Sequence, residues 1–177
     1  EFGMLSVPSP DGKQVAYTSY NKDNFFDLRV VGIDGTEPRV LYRNDEVVWL
    51  EPTDWSPDGR NILAVLTRKD KANQMVLVSV VDGSVRLLRN FERRTPAGAR
   101  FSPDGRYIAY SSPQQPDSQE HDIFLLTVDG AREIPLVQHP ANDAALDWTP
   151  DGKRILFGSD RAGTPGAWLI RVAGGKP

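Results

Sequence analysis

The tetrapeptide Ser102-Pro103-Asp104-Gly105 occurs four times in this chain of 177 residues, with threonine in place of serine in the last copy. The copies begin at Ser9, Ser56, Ser102 and Thr149, so successive starts lie 47, 46 and 47 residues apart. A basic residue follows each glycine, and apolar residues then alternate, as at Ile108 and Tyr110 of the third copy. A regular period of this length indicates a repeat architecture in which each repeat is one supersecondary unit.

Each residue type of the tetrapeptide suits one position of a tight turn. The serine or threonine hydroxyl can bond main-chain amides further along, and proline fixes φ at about −65° at the second position. Aspartate suits the third position and glycine takes a positive φ at the fourth, which predicts a type I turn with a G1 bulge. We therefore interpret the four aspartates as structural. A calcium site would need further carboxylates close by in the sequence, and the repeats lack them.

Four short strand patterns surround these turns. One precedes the tetrapeptide, at 5–7, 53–55, 99–101 and 146–148, and a second follows it. A third, at 28–33, 75–81, 123–128 and 168–172, comes before an Asp-Gly or Gly-Gly pair, and a fourth follows that pair at 39–42, 85–88 and 134–137. Because such pairs supply positive φ angles, we predict two-residue hairpin turns there. No stretch sustains the periodicity of an amphipathic helix.

These patterns predict an all-β chain organised as a β-propeller, whose blades are four-stranded antiparallel sheets. We expect a single propeller domain over 1–177 with about four blades, at 5–48, 49–95, 96–142 and 143–177. The sequence stops shortly after Gly174-Gly175, so we expect the fourth blade to lack its outer strand, which makes a partial propeller. We also expect Glu1-Phe2 to be a cloning remnant and the chain to be a fragment of a larger bacterial propeller protein.

The repeats resemble those of the TolB family, a propeller of WD-repeat-like blades, and the N-terminal propellers of prolyl-oligopeptidase-type and tricorn-type peptidases. The resemblance rests on the sequence WTPDGKRILF from Trp148 to Phe157, on Ser159-Asp160-Arg161 and on Trp168-Leu169-Ile170. It covers essentially the whole chain and specifies the repeat type rather than a molecular role. The repeats differ from the family pattern at three places: Thr67-Arg68-Lys69-Asp70 replaces Ser-Asp-Arg, a longer polar loop occupies 113–121, and Pro8 replaces an aromatic residue. We therefore do not expect the repeats to form four equivalent ligand sites.

Charge and composition narrow the range of functions. The chain has 24 acidic and 21 basic residues, a net charge of −3, and no basic cluster larger than Arg93-Arg94. Nucleic-acid binding needs a basic face, so we expect no nucleic-acid partner. The apolar run from Val47 to Leu50 is too short to cross a bilayer, so we expect no membrane insertion. The absence of cysteine excludes disulfides and thiolate chemistry.

The sequence also lacks the motifs of common catalytic sites. Its two histidines, His121 and His139, fall in predicted loops, and there is no Gly-x-Ser-x-Gly, no His-Glu-x-x-His and no phosphate-binding glycine motif. We therefore predict no enzymatic activity, with no catalytic residues, no metal ligands and no cofactor.

Candidate binding residues come from the first strand of each repeat. Two positions before the tetrapeptide lie Val7, Asp54, Arg100 and Asp147. At equivalent places around a propeller axis, Asp54, Arg100 and Asp147 could form an arc that binds a ligand or partner, or Arg100 could simply neutralise its two acidic neighbours.

We make three predictions for the four tryptophans. Trp55 and Trp148, with Phe101 at the equivalent place, are expected to fill the space between neighbouring blades. Trp168 is expected to lie in the core. Trp49 has no counterpart in the other repeats and is either a core residue or an exposed anchor for a partner.

The predicted function is a non-catalytic TolB-like module that acts as a scaffold or protein-interaction domain. The TolB resemblance implies a periplasmic or other extracytoplasmic setting and a protein partner at a propeller face. Open blade edges are liabilities that proteins usually cover, so we also expect self-association. The alternative is the substrate-gating propeller of a prolyl-oligopeptidase-type or tricorn-type serine peptidase whose catalytic domain is absent.

Overall fold

A computed structural model describes residues 2–20, 26–36, 38–116, 118 and 120–172, with side chains from residue 5 onward. These residues form fifteen β-strands and no helix. The strands are β1 (Phe2–Pro8), β2 (Gln14–Tyr20), β3 (Phe26–Gly32), β4 (Arg39–Arg43), β5 (Val47–Trp55), β6 (Asn61–Arg68), β7 (Asn73–Ser79), β8 (Val85–Asn90), β9 (Ala97–Phe101), β10 (Tyr107–Pro113), β11 (His121–Thr127), β12 (Glu133–Val137), β13 (Asp143–Trp148), β14 (Arg154–Ser159) and β15 (Gly166–Arg171).

The strands form four antiparallel sheets, each built from strands consecutive in the sequence. The first three sheets have the orders β1-β2-β3-β4, β5-β6-β7-β8 and β9-β10-β11-β12, and the fourth has the order β13-β14-β15. The prediction of an all-β propeller with four-stranded blades, the fourth blade having three strands in the described part, is confirmed. The Gly174-Gly175 turn and Glu1 lie outside the described residues.

The tetrapeptide turns have one geometry in all four sheets. In the first turn, the Ser9 hydroxyl donates to Asp11 Oδ1 at 2.6 Å and accepts from the Gln14 amide at 2.9 Å. Asp11 Oδ1 also accepts from the Lys13 amide, and the Gly12 amide donates to the Ser9 carbonyl with Gly12 at φ 68°. The same bonds recur around Asp58, Asp104 and Asp151. This confirms the predicted turn and explains why each position keeps its residue type.

The second set of turns lies where predicted but has a different type. Gly35, Gly83 and Gly130 have positive φ, whereas the aspartates before them do not. A type I′ hairpin needs positive φ at both central residues, so the prediction of two-residue turns was wrong. Each aspartate instead accepts a bond from the amide two residues later, at Thr36, Ser84 and Ala131. The aspartate side chain therefore caps a turn that is longer than two residues. The Asp-Gly pattern alone does not specify this capping.

The chain divides into two compact units, Glu1–Glu92 and Arg93–Pro177. In the first unit, the core between the first two sheets includes Ala16, Leu28 and Val30 together with Trp55. The Trp55 indole Nε1 donates to the Val7 carbonyl at 3.0 Å, and thereby joins the two sheets.

The second unit repeats this arrangement. Trp148 packs with Ala109, Leu125 and Ile155, and its Nε1 donates to the Arg100 carbonyl at 3.2 Å. The prediction that Trp55 and Trp148 fill the space between neighbouring blades is confirmed within each unit.

Candidate functional site

A groove lies between neighbouring tetrapeptide turns within each unit; we call it the inter-turn groove. In the second unit it has a volume of ≈ 380 Å³, and the Trp148 side chain lines it together with Pro103, Pro150 and Tyr107. The exposed basic residues Arg106 and Lys153 border it. The first unit has the equivalent groove of ≈ 200 Å³, lined by Trp55, Pro10 and Pro57 among others. Sequence reasoning assigned these prolines and tryptophans to structure and missed the groove between them.

Each tetrapeptide turn carries a negatively charged aspartate that is held in place by hydrogen bonds. Hydroxyl donation lowers the pKa of Asp11, Asp58 and Asp151 below its ordinary value, and the amide two residues later adds to that effect. For Asp104 partial burial acts to raise the pKa, but the Ser102 hydroxyl, the Arg106 amide and the Arg106 guanidinium together lower it. These carboxylates therefore stay ionised in mildly acidic solution, and their hydrogen bonds hold the turns rigid.

Asp54, Arg100 and Asp147 all lie near the end of a first strand, one residue before the aromatic residue of their sheet. Asp54 Oδ1 accepts from the Trp55 amide and Asp147 Oδ1 from the Trp148 amide, each at 2.8 Å. Arg100 Nη1 donates to the Ala99 carbonyl at 2.9 Å. Within the second unit, Trp148, the residue after Asp147, donates its indole Nε1 hydrogen to the Arg100 carbonyl.

An irregularity in the first strands precedes these three positions. The pairing register shifts between Pro52 and Asp54 in β5 and between Ala145 and Asp147 in β13, and a corresponding shift lies opposite β9. A β-bulge re-aims the side chain that follows it. Each of the three residues therefore follows a bulge in the first strand of its own sheet.

Trp49 lies apart from Asp54, although both belong to β5. Five residues of extended strand separate them, a distance of about 17 Å. The half-buried Trp49 ring meets Phe26 edge-on at a centroid distance of 5.3 Å, and Phe26 in turn contacts Tyr20 at 5.0 Å. Trp49 thus belongs to an aromatic cluster at the opposite end of the strand from the tetrapeptide turn.

Trp168 does not lie in the core, and that prediction was wrong. It is 37% exposed on β15, with the Arg161 guanidinium 5.2 Å from its ring centroid. The same guanidinium lies 4.9 Å from the Phe157 ring and bonds both carboxylate oxygens of the fully buried Asp143. The Ser159-Asp160-Arg161 motif therefore supplies a cation held between two aromatic rings and a buried carboxylate.

The described residues contain no cluster of three or more histidine, cysteine, aspartate or glutamate side chains able to hold a metal ion. His121 Nδ1 lies 3.2 Å from Asn142 Oδ1, and His139 Nδ1 accepts from the Ala141 amide at 3.0 Å. Both histidines thus have local partners, but His121 is the first residue of β11, so the prediction that it lies in a loop was wrong. Within the same described ranges, no helix long and apolar enough to span a membrane is present.

Consecutive antiparallel sheets, each with a Ser-Pro-Asp-Gly or Thr-Pro-Asp-Gly turn between its first two strands and with a tryptophan indole bonded to the neighbouring sheet of the same unit, define a β-propeller. The sequence profile of the TolB beta propeller domain matches residues 13–177, so the chain belongs to the TolB beta-propeller family. The Tol-Pal system protein TolB of Bordetella pertussis is 30% identical over 164 residues. That alignment covers 92% of this chain and 35% of the relative, so the chain spans about a third of the relative's length.

Solved structures share the fold. TolB from Acinetobacter baumannii superposes with a TM-score of 0.73 at 21% identity, covering 96% of this chain and 42% of that one. The acylaminoacyl peptidase of Pyrococcus horikoshii gives a TM-score of 0.70 at 20% identity, covering 96% of this chain and 31% of the peptidase. The tricorn protease gives 0.61 at 15% identity, covering 94% and 17%. The expected resemblance to both TolB and peptidase propellers is confirmed at the level of fold.

Proposed function

We propose that the chain is a non-catalytic, protein-binding part of a TolB-type propeller, and that its partner binds at the inter-turn grooves. The inter-turn groove carries this proposal, because it occurs in both units with the same construction. In the second unit the groove presents Tyr107 and Arg106, residue types that are enriched at protein-binding surfaces. Since hydrogen bonds already fix the turns, binding there costs little conformational entropy.

We propose Asp54 in the first unit, and Arg100 and Asp147 in the second, as further binding residues. Each lies one residue before the aromatic residue that precedes a tetrapeptide turn. Trp49 lies at the other end of β5, and its exposed part offers a separate contact. Within the second unit, Arg100 and Asp147 supply both signs of charge, which favours orientation and specificity more than raw affinity.

Membership of the TolB family supports a periplasmic setting, and we propose that location together with a scaffold role. The named relative is a component of the Tol-Pal system, so we look for the partner among proteins of the bacterial cell envelope. We propose no nucleic-acid partner and no membrane insertion, in line with the net charge of −3.

Site-specific crosslinking tests the binding surface. A photo-reactive amino acid is placed at Arg106 beside the inter-turn groove, and in a control variant at Arg93, which is equally exposed but lies outside the groove. With the protein in the periplasm of a bacterial host, we expect a discrete crosslinked protein at position 106 and none at position 93. Equal crosslinking at both positions, or none at either, would contradict the proposed surface.

A second candidate is the gating propeller of a serine peptidase, favoured by the structural likeness to the acylaminoacyl peptidase and the tricorn protease. The coding sequence downstream of residue 177 distinguishes the two. A hydrolase segment with Gly-x-Ser-x-Gly would decide for the peptidase. Further Ser-Pro-Asp-Gly repeats followed by a stop codon would exclude it.

We further propose that isolated chains self-associate through the fourth sheet. Leu146, Trp168 and Leu169 are exposed there, and β15 carries most of this apolar surface. Exposed apolar patches on a sheet commonly mark protein contacts.

A further inference from the structure

Three aspartates of the described residues are buried: Asp27, Asp122 and Asp143. A buried carboxylate is costly unless hydrogen bonds and an opposite charge compensate it. Asp27 is held by Arg43, whose Nε and Nη2 each lie 2.6 Å from a carboxylate oxygen, and by Arg29 at 3.2 Å. Asp143 is held by Arg161 at 2.9 and 3.0 Å. Two of the three buried carboxylates thus have bidentate arginine partners.

Asp122 differs because its partners are neutral. It is 3% exposed, and it accepts hydrogen bonds from the Gln114 side-chain amide and, at 3.2 Å, from the His139 main-chain amide. In the part of the chain that the structure describes, none of the ion pairs involves Asp122. A negative charge removed from water therefore lacks a counter-charge within the described ranges.

Comparison with the first sheet shows which residue stands at the position of each arginine that contacts Asp27. Asp122 pairs with Ser112 across β10 and β11, as Asp27 pairs with Ser19 across β2 and β3. Arg43 pairs with Asp27 across β3 and β4. Ile123 pairs with Val137 as Leu28 pairs with Tyr42, so the position of Arg43 is taken in the third sheet by Gln138.

Arg29, the other cation beside Asp27, is replaced in the same way. It lies two residues after Asp27 in β3, and the residue two after Asp122 in β11 is Phe124. The third sheet therefore keeps the buried carboxylate of the first sheet and lacks both of its arginines.

A cleft of ≈ 520 Å³ lies beside Gln138, the residue at the position that corresponds to Arg43 of the first sheet. Asp122, Gln138, His139, Gln114 and Glu120 are among the residues that line it. Its volume is in the range of ligand pockets, about 300–1,000 Å³. The lining offers carboxylate and amide oxygens, which are acceptors for a cationic donor group.

We propose that this cleft receives an arginine side chain of a protein partner, whose guanidinium pairs with Asp122 as Arg43 pairs with Asp27. The planar guanidinium matches a carboxylate in bidentate geometry, which both other buried aspartates of the chain already use. The cleft lies at the opposite end of β10 from the tetrapeptide turn, so it is a site separate from the inter-turn groove and does not rest on the proposed function.

Two matched probes and two matched variants test the cleft. The probe is Nα-acetyl-arginine amide, and the control probe is the citrulline analogue, which is isosteric but neutral. We expect the arginine probe to shift the backbone amide resonance of His139 in a saturable way and the citrulline probe to leave it unchanged. Asp122→Asn should weaken binding about tenfold or more, whereas Asp45→Asn, which removes an exposed charge in the other unit, should leave it unchanged.

A third variant keeps the proposal testable even if Asp122→Asn perturbs folding. Gln138→Arg restores the arginine of the first sheet, so it should raise the thermal midpoint by a few degrees and abolish binding of the arginine probe. Equal responses to both probes, probe binding unaffected by Asp122→Asn, or probe binding retained by Gln138→Arg would each overturn the proposal. Shifts at His139 with Ca²⁺ or Mn²⁺ but not with the arginine probe would also overturn it.

Discussion

The pKa of Asp82, a turn residue, depends strongly on the hydrogen bonds that its carboxylate accepts. Donation from the Ser79 side chain and from the amide and hydroxyl of Ser84 lowers the pKa of Asp82 from 3.8 to about 2. Because the pKa in the folded state is below the unfolded value, ionised Asp82 stabilises the fold above about pH 4. That stabilisation is lost as the pH falls toward the folded pKa.

We therefore expect the side-chain carbon resonance of Asp82 to titrate with a midpoint near the folded pKa of about 2. In the variant Asp82→Asn, the free energy of unfolding should fall less between about pH 4 and pH 2 than in the unaltered chain. NMR titration and urea unfolding at several pH values measure the two effects. A titration midpoint close to 3.8, or the same pH dependence in both proteins, would contradict this assignment.

The pair of Asp143 and Arg161 is a second test at the level of single residues. Asp143 is fully buried, and Arg161 is its bidentate partner. Replacing one member of a buried pair leaves an uncompensated charge and typically costs about 3–5 kcal/mol. We expect Arg161→Met to lower the free energy of unfolding by an amount near the lower end of that range, because the arginine is partly exposed.

Urea unfolding of the double variant Asp143→Leu/Arg161→Met provides the control for that change. Removing both charges should recover much of the lost stability, since the cost arises from the unpaired carboxylate rather than from the absent pair. A double variant as unstable as the single one would show that packing of the Arg161 side chain between Phe157 and Trp168 matters more than its charge.

At the scale of the strands and turns, two glycines allow the effect of backbone strain to be distinguished from the effect of packing. Gly59 and Gly83 have nearly the same positive φ, 69° and 72°. A Cβ atom on Gly59 would meet nothing within 4 Å, whereas one on Gly83 would overlap the carbonyl oxygen of Leu41 in the neighbouring sheet. Gly83 therefore permits the turn after β7 to approach β4 closely.

We expect Gly59→Ala to cost about 1 kcal/mol from backbone strain alone. Gly83→Ala should cost a further 1–3 kcal/mol or so, about the usual price of overpacking, because the first two sheets must move apart. Thermal or urea unfolding of the two variants measures the difference. Equal losses would mean that the close approach at Leu41 contributes nothing to stability.

The order and positions of the strands could be predicted from the sequence, but several turn and side-chain details could not. The repeated Ser-Pro-Asp-Gly specifies its own turn locally, so the sequence period locates every sheet. The Asp-Gly turns depend on residues up to two positions later, such as Thr36 and Ser84, and their type was mispredicted. Trp168 was placed in the core because aromatic residues in strands usually lie there, but which face of β15 is covered depends on neighbouring sheets.

At the scale of the whole molecule, the candidate sites were the hardest to predict because they arise between repeats. Asp54, Arg100 and Asp147 were predicted as binding residues from their common offset to the tetrapeptide, and they stay a prediction. The inter-turn groove requires two turns side by side, and the cleft at Asp122 requires comparison of Gln138 with Arg43 through strand register. The offset between residues in the sequence shows which residues are equivalent in the repeats, but it shows neither the groove nor the cleft.

Comparison of equivalent positions also identifies the surface through which chains should self-associate. Ala16 and Val30 are paired in the first sheet, and Ala109 and Leu125 in the third; all four are buried in cores that include the tryptophan of the next sheet. In the fourth sheet the equivalent pair is Leu156 and Leu169, and Leu169 is 59% exposed. A second copy of the chain would remove this apolar surface from water, which is favourable by about 25 cal/mol for each Å² buried.

We expect light scattering coupled to size exclusion to show a dimer or larger assembly whose fraction rises with protein concentration. Leu169→Lys should shift the equilibrium toward monomer, because a charge would then be buried at the contact. Val81→Lys is the matched control, since Val81 is more exposed than Leu169 but lies in the turn after β7, and it should leave the assembly unchanged. A monodisperse monomer at high concentration, or equal effects of the two lysine substitutions, would exclude association through this face of the fourth sheet.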